Sequence, residues 1–149
     1  MIQEKYNKLK IKYKLPDFNE LDHEFEISTI EHEEFLLREI RREMTERLSF
    51  FSDIIGGILN TEASASILEF GALSEADSKK ALELYKNLMY WDRDSAETAL
   101  MADDKKDAEF ISRFNDEWKT MKKDIAYVIG KMKETWKQKS SKEEDEYLG

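Results

Sequence analysis

A regular stripe of apolar residues runs through the C-terminal third of the chain. Its members alternate between steps of three and four positions: Ile111, Phe114, Trp118, Met121, Ile125, Val128 and Met132. This spacing places all of them on one side of a helix, and such a helix packs best along another long helix, as in a coiled coil. The pattern therefore predicts a helix over about residues 104–138. Because its apolar side needs cover, the chain must also supply helices of similar length.

The segment from residue 28 to residue 60 has the features of a first partner helix. Ser28 and Glu31 have the spacing of a capping box, which marks a helix start. The apolar residues that follow fill an arc of about 140° when they are projected on a helix. An arc of this width predicts contact with two neighbouring helices.

The segment 75–101 has the features of a second partner helix, and Ser74 with Asp77 marks its start. Its predicted stripe is Ala81, Leu82, Tyr85, Leu88, Met89, Ala96, Ala99 and Leu100. Only the break at Asp103 separates this helix from the third, so the two should be antiparallel neighbours. We predict an all-α, up-and-down antiparallel bundle of three long helices, with short N-terminal and connector helices.

The ends of the chain and the connector are less regular. Residues 1–15 fit either a strand, because apolar residues alternate with Lys from Leu9 to Leu15, or a helix. We expect a loosely docked helix or arm, followed by a short helix over 17–25 that presents Phe18, Leu21 and Phe25 to the bundle. Residues 61–71 should hold a short helix that Gly71 ends. We expect one domain over 1–138 and a disordered polar tail over 139–149.

Charge and composition narrow the possible partners. The net charge is −9, but five Lys and one Glu give residues 1–14 a charge of +4, which leaves −13 for the rest. This acidic remainder, which we call the body, should repel nucleic acid and anionic membranes. The basic arm is expected to lie against that body, and an acidic partner is the alternative. The chain has no Cys and no apolar run long enough for a membrane span, so we expect a soluble cytoplasmic protein.

Asp92 lies within the apolar arc predicted for the second long helix. A lone carboxylate in a core is costly, so it should have a partner. Counting through the antiparallel connections brings it level with Arg47 and Asn115, and Arg93 is a second possible partner. We predict a polar layer of Asp92, Arg47 and Asn115. It is either a structural ion pair that fixes helix register or the lining of a ligand pocket.

Residue patterns typical of enzymes are scarce. The spacing Glu-x-x-His of a di-iron bundle occurs once, at Glu20 and His23, and His32 lacks it. Gly130-Lys131 has no upstream glycine, so it is not a phosphate loop. We therefore predict no catalytic residues, no metal site and no cofactor.

Four large aromatic residues lie off the predicted apolar stripes: Phe35, Phe50, Tyr90 and Trp91. They would form an interaction surface, unless residues 1–25 or 61–71 cover them. The sequence favours a non-enzymatic protein–protein interaction or scaffold module that binds a protein partner or itself, a homodimer being the commonest form of self-association. The alternative is a ligand-binding or catalytic bundle with its site around Asp92.

Overall fold

The computed structural model describes residues 2–59, 71 and 73–148, and for residues 138–148 the backbone alone. The helices are α1 (Ile2–Tyr13), α2 (Phe18–Phe25), α3 (Leu36–Leu59), α4 (Glu75–Met101) and α5 (Asp104–Leu148), with a 3₁₀ turn at Ile27–Thr29. No strand occurs in these described residues. The predicted all-α bundle of three long helices is confirmed. The predicted connector helix lies outside the described residues.

The chain divides into two compact units, each built from segments of the three long helices. Unit 1 comprises residues 1–50 and 88–120, and unit 2 comprises residues 51–87 and 121–149. The single domain that the sequence suggests over 1–138 stays a prediction.

Aromatic rings from three helices form much of the core of unit 1. Phe110, Phe114 and Trp118 stack along α5, with centroids 5.5 Å and 5.7 Å apart. Trp91 of α4 packs edge-on against Phe114 at 5.5 Å, and Phe25 of α2 lies 5.5 Å from Trp118. Edge-to-face and offset contacts of this kind add to the gain from burying the rings. They hold α2, α4 and α5 together in this unit.

In unit 2 a glycine brings two helices close together. A Cβ atom placed on Gly56 of α3 would lie 2.7 Å from the ring carbon Cε2 of Tyr85 on α4. On the outside of the unit, the Tyr127 hydroxyl donates to Asp77 Oδ1 at 2.7 Å, and Lys80 lies 3.6 Å from Asp124. These contacts join α3 to α4 and α4 to α5 within unit 2.

The first long helix begins at Leu36, and the predicted start at Ser28 is wrong. The Ser28 backbone N–H donates to the Asp22 carboxylate at 2.7 Å, so this segment continues from α2 as a 3₁₀ turn. Phe35, just before α3, has a φ of 55°, which lies outside the right-handed helical region. An α-helix therefore cannot run through this position.

The second long helix has the predicted length but presents a different face to the interior. The Ser74 hydroxyl accepts a hydrogen bond from the Asp77 backbone N–H at 3.1 Å, which confirms the predicted start. Leu82 and Leu100, which the sequence placed in the stripe, are 41% and 85% exposed. The buried positions are Ala81, Leu84, Leu88, Trp91, Ser95 and Thr98. Two of these buried side chains, Ser95 and Thr98, are polar. A prediction from apolar character alone therefore chose a different face of α4 from the one that is buried.

The two ends of the chain are both helical in the described residues. The helical alternative for residues 1–15 is the correct one, because α1 buries Ile2 and fully buries Tyr6. α5 continues to Leu148, beyond its predicted end near residue 138. Its last turns are rich in Lys and Glu, which are good helix formers. The polar tail outside the domain stays a prediction.

Candidate functional site

A buried polar cluster lies inside unit 1, and it is built from residues other than those predicted. Arg41 Nε donates to Asp107 Oδ1 at 2.8 Å, and Arg41 Nη1 donates to Ser95 Oγ at 2.8 Å. The Thr45 and Ser95 hydroxyls are 2.7 Å apart. Arg41, Ser95 and Asp107 are 5%, 1% and 4% exposed. All three long helices thus contribute side chains to this cluster.

The cluster has the chemistry of a structural contact. Burial raises the pKa of the Asp107 carboxyl above its ordinary value, and the adjacent Arg41 guanidinium opposes that shift. Across the described residues, no buried side-chain nitrogen or oxygen lacks a hydrogen-bond partner. The polar groups of the cluster are therefore paired within the protein.

The predicted layer of Asp92, Arg47 and Asn115 does not form. Asp92 pairs with Arg93, its neighbour in sequence, and its side chain is 26% exposed. Arg47 occupies an exposed position, and the buried Asn115 donates to Glu20 Oε1 at 3.2 Å. Successive helical residues are turned by about 100°. Since α4 directs Trp91 inward, Asp92 is turned away from the interior.

Of the four residues predicted to form an interaction surface, three are exposed. The fourth, Trp91, is buried, so its assignment to that surface was wrong. Trp91 is 5% exposed, whereas Phe35, Phe50 and Tyr90 are 53%, 62% and 58% exposed. The Arg38 guanidinium lies 4.3 Å from the centre of the Phe35 ring. Phe35 and Phe50 are separated by about 22 Å along the axis of α3 at 1.5 Å per residue. Phe35 and Phe50 therefore do not contact each other.

A groove of about 510 Å³ lies between the C-terminal end of α1 and the first turns of α5, in unit 1. We call it the basic groove. It is lined by four cations, one carboxylate and three other residues: Lys12, Lys14, Lys105, Arg113, Glu109, Tyr13, Ala108 and Ser112. The sequence did not predict it, since it joins positions about ninety apart in the chain.

The charges of the basic groove are only partly compensated. Arg113 pairs with Asp94 at 2.9 Å, and Glu109 lies 3.6 Å from Lys106. In the part of the chain that the structure describes, no carboxylate pairs with Lys14 or Lys105. The groove therefore retains an excess of positive charge.

The basic arm meets different kinds of group along its length. Lys5 donates to the Glu33 carbonyl, and Lys10 pairs with Asp17. Lys12 and Lys14, however, line a groove with the cations Lys105 and Arg113. Lys10 therefore lies against an acidic residue as expected, whereas the end of α1 shares its groove with two cations and one carboxylate, Glu109.

Lys14 holds a backbone conformation that normally favours glycine. It has a φ of 56°, and the next residue, the buried Leu15, donates its backbone N–H to the Lys10 carbonyl at 3.1 Å. This is the geometry of a helix C-terminal cap, where Gly is the commonest residue. A Lys here has a conformational cost that Gly would avoid.

A second groove of unit 1, of about 300 Å³, is acidic. Four Glu, one His and the exposed Phe35 are among its lining residues: Glu31, His32, Glu34, Phe35, Glu39 and Glu43. Burial raises the pKa of Glu43, and the neighbouring Glu46 and Glu39 add to the shift. Within the described ranges, no three His, Asp or Glu side chains are grouped so that they could hold a metal ion.

None of the described helices has a stretch apolar and long enough to cross a lipid bilayer. No protein-family model, no curated protein and no solved structure matches the chain.

Proposed function

We propose that this protein is a non-enzymatic protein–protein interaction module that binds through the surface of unit 1. The supporting observation is the exposed apolar surface of that unit. Six of its large apolar side chains are exposed: Ile11, Phe35, Phe50, Tyr90, Leu100 and Met101. Ile11 and Leu100 are more than four-fifths exposed, at 83% and 85%. Apolar surface left in water is unfavourable, and its burial against a partner would favour binding.

The arrangement of polar groups supports binding over catalysis. Arg41 donates to both Ser95 and Asp107 inside unit 1, so none of the three is available to a substrate. The alternative of a ligand-binding or catalytic bundle around Asp92 has little support, because Asp92 pairs with Arg93 at the edge of the helix.

The composition supports a protein partner in the cytoplasm. The net charge of −9 disfavours nucleic acid and anionic lipid surfaces. The absence of Cys fits a reducing compartment, where disulfides do not stabilise the fold. The partner is a different protein or a second copy of the chain.

Native mass spectrometry of the untagged protein, gently extracted from its own cells without chelator, tests this function. We expect a complex that contains a second polypeptide. A single chain that carries only a small molecule or metal ion would contradict the proposal.

A further inference from the structure

We propose that the basic groove binds a short acidic segment of a partner protein that is not a second copy of this chain, and that this segment also carries apolar side chains. This inference rests on the proposed function, since it assigns the binding surface and the chemistry of what it binds. It concerns only residues of unit 1.

The charge distribution is the first support. In a chain of net charge −9, the fold brings Lys12, Lys14, Lys105 and Arg113 to one groove that Glu109 alone balances among its lining residues. Arg113 is paired with Asp94, so the lysines supply the charge that is left without a carboxylate. Carboxylates of a partner would pair with these lysines. They would also steer the partner towards the groove.

The backbone of Lys14 is the second support. At a φ of 56° a glycine would cap α1 with less strain, yet the position holds a Lys that lines the groove. Glu26 and Ala102 have similar φ values at other helix ends, so the support from Lys14 is the charge that it adds to the groove.

Exposed apolar residues that adjoin the groove residues in sequence are the third support. Ile11 directly precedes Lys12, and Leu100 and Met101 end α4 just before the turn into α5 and Lys105. They are 83%, 85% and 58% exposed. A segment with both carboxylates and apolar side chains matches this combination better than a purely ionic ligand does.

The rest of the surface favours a short segment over a long polyanion. Beyond residues 1–14 the chain carries a net charge of −13. Charges further away than about 8 Å are screened at physiological salt. A short acidic segment therefore experiences chiefly the groove, whereas a nucleic acid strand or anionic membrane also meets the acidic surface around it.

The test measures fluorescence anisotropy of a short fluorescein-labelled peptide of Glu and Leu residues titrated with the full-length protein. The same peptide with Lys in place of Glu is the ligand control. We expect saturable binding of the Glu peptide only, and binding that weakens as salt is added. Lys12→Glu with Lys105→Glu should weaken it by about tenfold, because each reversal replaces an attraction by a repulsion.

Two further variants separate binding from folding. Lys79→Glu with Lys123→Glu makes the same charge change at exposed positions of unit 2, and binding should stay within about twofold of wild type. Lys14→Gly should weaken binding by about two- to fivefold while the melting temperature stays equal or rises. A merely structural Lys14 would leave binding unchanged.

Four results would overturn the inference. They are equal binding of the Glu and Lys peptides, equal loss of binding in both double variants, binding of inorganic tripolyphosphate without binding of the peptide, and self-association that the groove double variant abolishes. The last would assign the groove to a second copy. A second polypeptide in the native complex without peptide binding would retain the proposed function and remove only this assignment.

Discussion

Arg41 and Asp107 form an ion pair inside unit 1, with Arg41 Nε 2.8 Å from Asp107 Oδ1 and side chains 6% and 5% exposed. The pair joins α3 to the first turn of α5, and Ser95 of α4 binds the same guanidinium. A shift of any one of the three long helices in unit 1 would therefore leave a buried polar group without its partner.

Removing Arg41 should be strongly destabilising. Arg41→Ala leaves the buried Asp107 carboxylate without its cation, and breaking a buried pair in this way costs about 3–5 kcal/mol. Arg42→Ala is the control, because its exposed pair with Glu39 is worth about 0–1 kcal/mol. Urea denaturation gives both free energies of unfolding. Equal small losses would mean that the buried pair does not hold the helices.

Alanine substitutions at Trp91 and at its sequence neighbour Tyr90 should differ sharply in their cost to stability. Trp91→Ala removes a core ring that contacts Phe110 and Phe114, at a cost of about 3–5 kcal/mol. Tyr90→Ala removes a ring that is 58% exposed and should cost less than about 1.5 kcal/mol, mainly its contact with Trp91. Thermal melts of the two variants measure the difference. Similar melting temperatures would show that α4 presents another face to the core.

The adjacent glycines of α3 should respond in opposite directions to alanine. At Gly57 no atom of the described residues lies within 4 Å of an added Cβ, so Gly57→Ala should stabilise the helix by about 0.5–1 kcal/mol. At Gly56 the added Cβ would meet the Tyr85 ring at 2.7 Å, so Gly56→Ala should destabilise unit 2. Denaturation midpoints give the order. A stabilising Gly56→Ala would contradict the close approach of α3 and α4.

Glu20 should contribute to the loss of stability in acid. Hydrogen bonds from Lys119 and then Asn115 hold the pKa of Glu20 below its ordinary value of 4.5. The unfolded state therefore takes up this proton first as the pH falls. The contribution of Glu20 is fully present above 4.5 and is lost as the pH falls through its lower folded pKa.

Glu20→Gln has no carboxylate to protonate, so its stability should fall less steeply than that of wild type below pH 4.5. Urea midpoints measured at successive pH values in that range compare the two slopes. The difference should be small, because the Glu20 side chain is 38% exposed. Identical slopes would show that its contacts with Lys119 and Asn115 do not persist in solution.

The sequence predicted the long helices well because their periodicity is strong. The α5 stripe from Ile111 to Met132 is buried throughout, and Ser74 caps α4 as its spacing indicated. The predicted start of α3 was wrong because a capping-box spacing, as at Ser28, is a weak local signal. A competing bond from the Ser28 N–H to Asp22 takes its place.

The polar cluster had a signal that apolar character concealed. Asp107 lies four positions before Ile111 and continues the three-and-four spacing of the α5 stripe. Arg41 lies between Leu37 and Met44 at steps of four and three, and Ser95 lies four positions after Trp91. A prediction based on the helical spacing alone, whatever the residue type, would have identified Arg41, Ser95 and Asp107 as buried positions.

The basic groove had no such signal. Its lining comes from the end of α1 and the first turns of α5, and only the docking of these elements brings Lys12 and Lys105 to the same groove. The net charge of each segment predicted that the arm is positively charged. It did not show that part of the arm would meet cations rather than the acidic body.

Site-specific photo-crosslinking in the native cells tests the interaction module most directly. A benzophenone amino acid is placed at exposed positions of unit 1, Ile11 and Tyr90, and at exposed positions of unit 2, Leu82 and Trp136. We expect a discrete crosslinked polypeptide from the unit 1 positions and none from the unit 2 positions. Equal crosslinking from both units, or none from either, would contradict an interaction surface on unit 1.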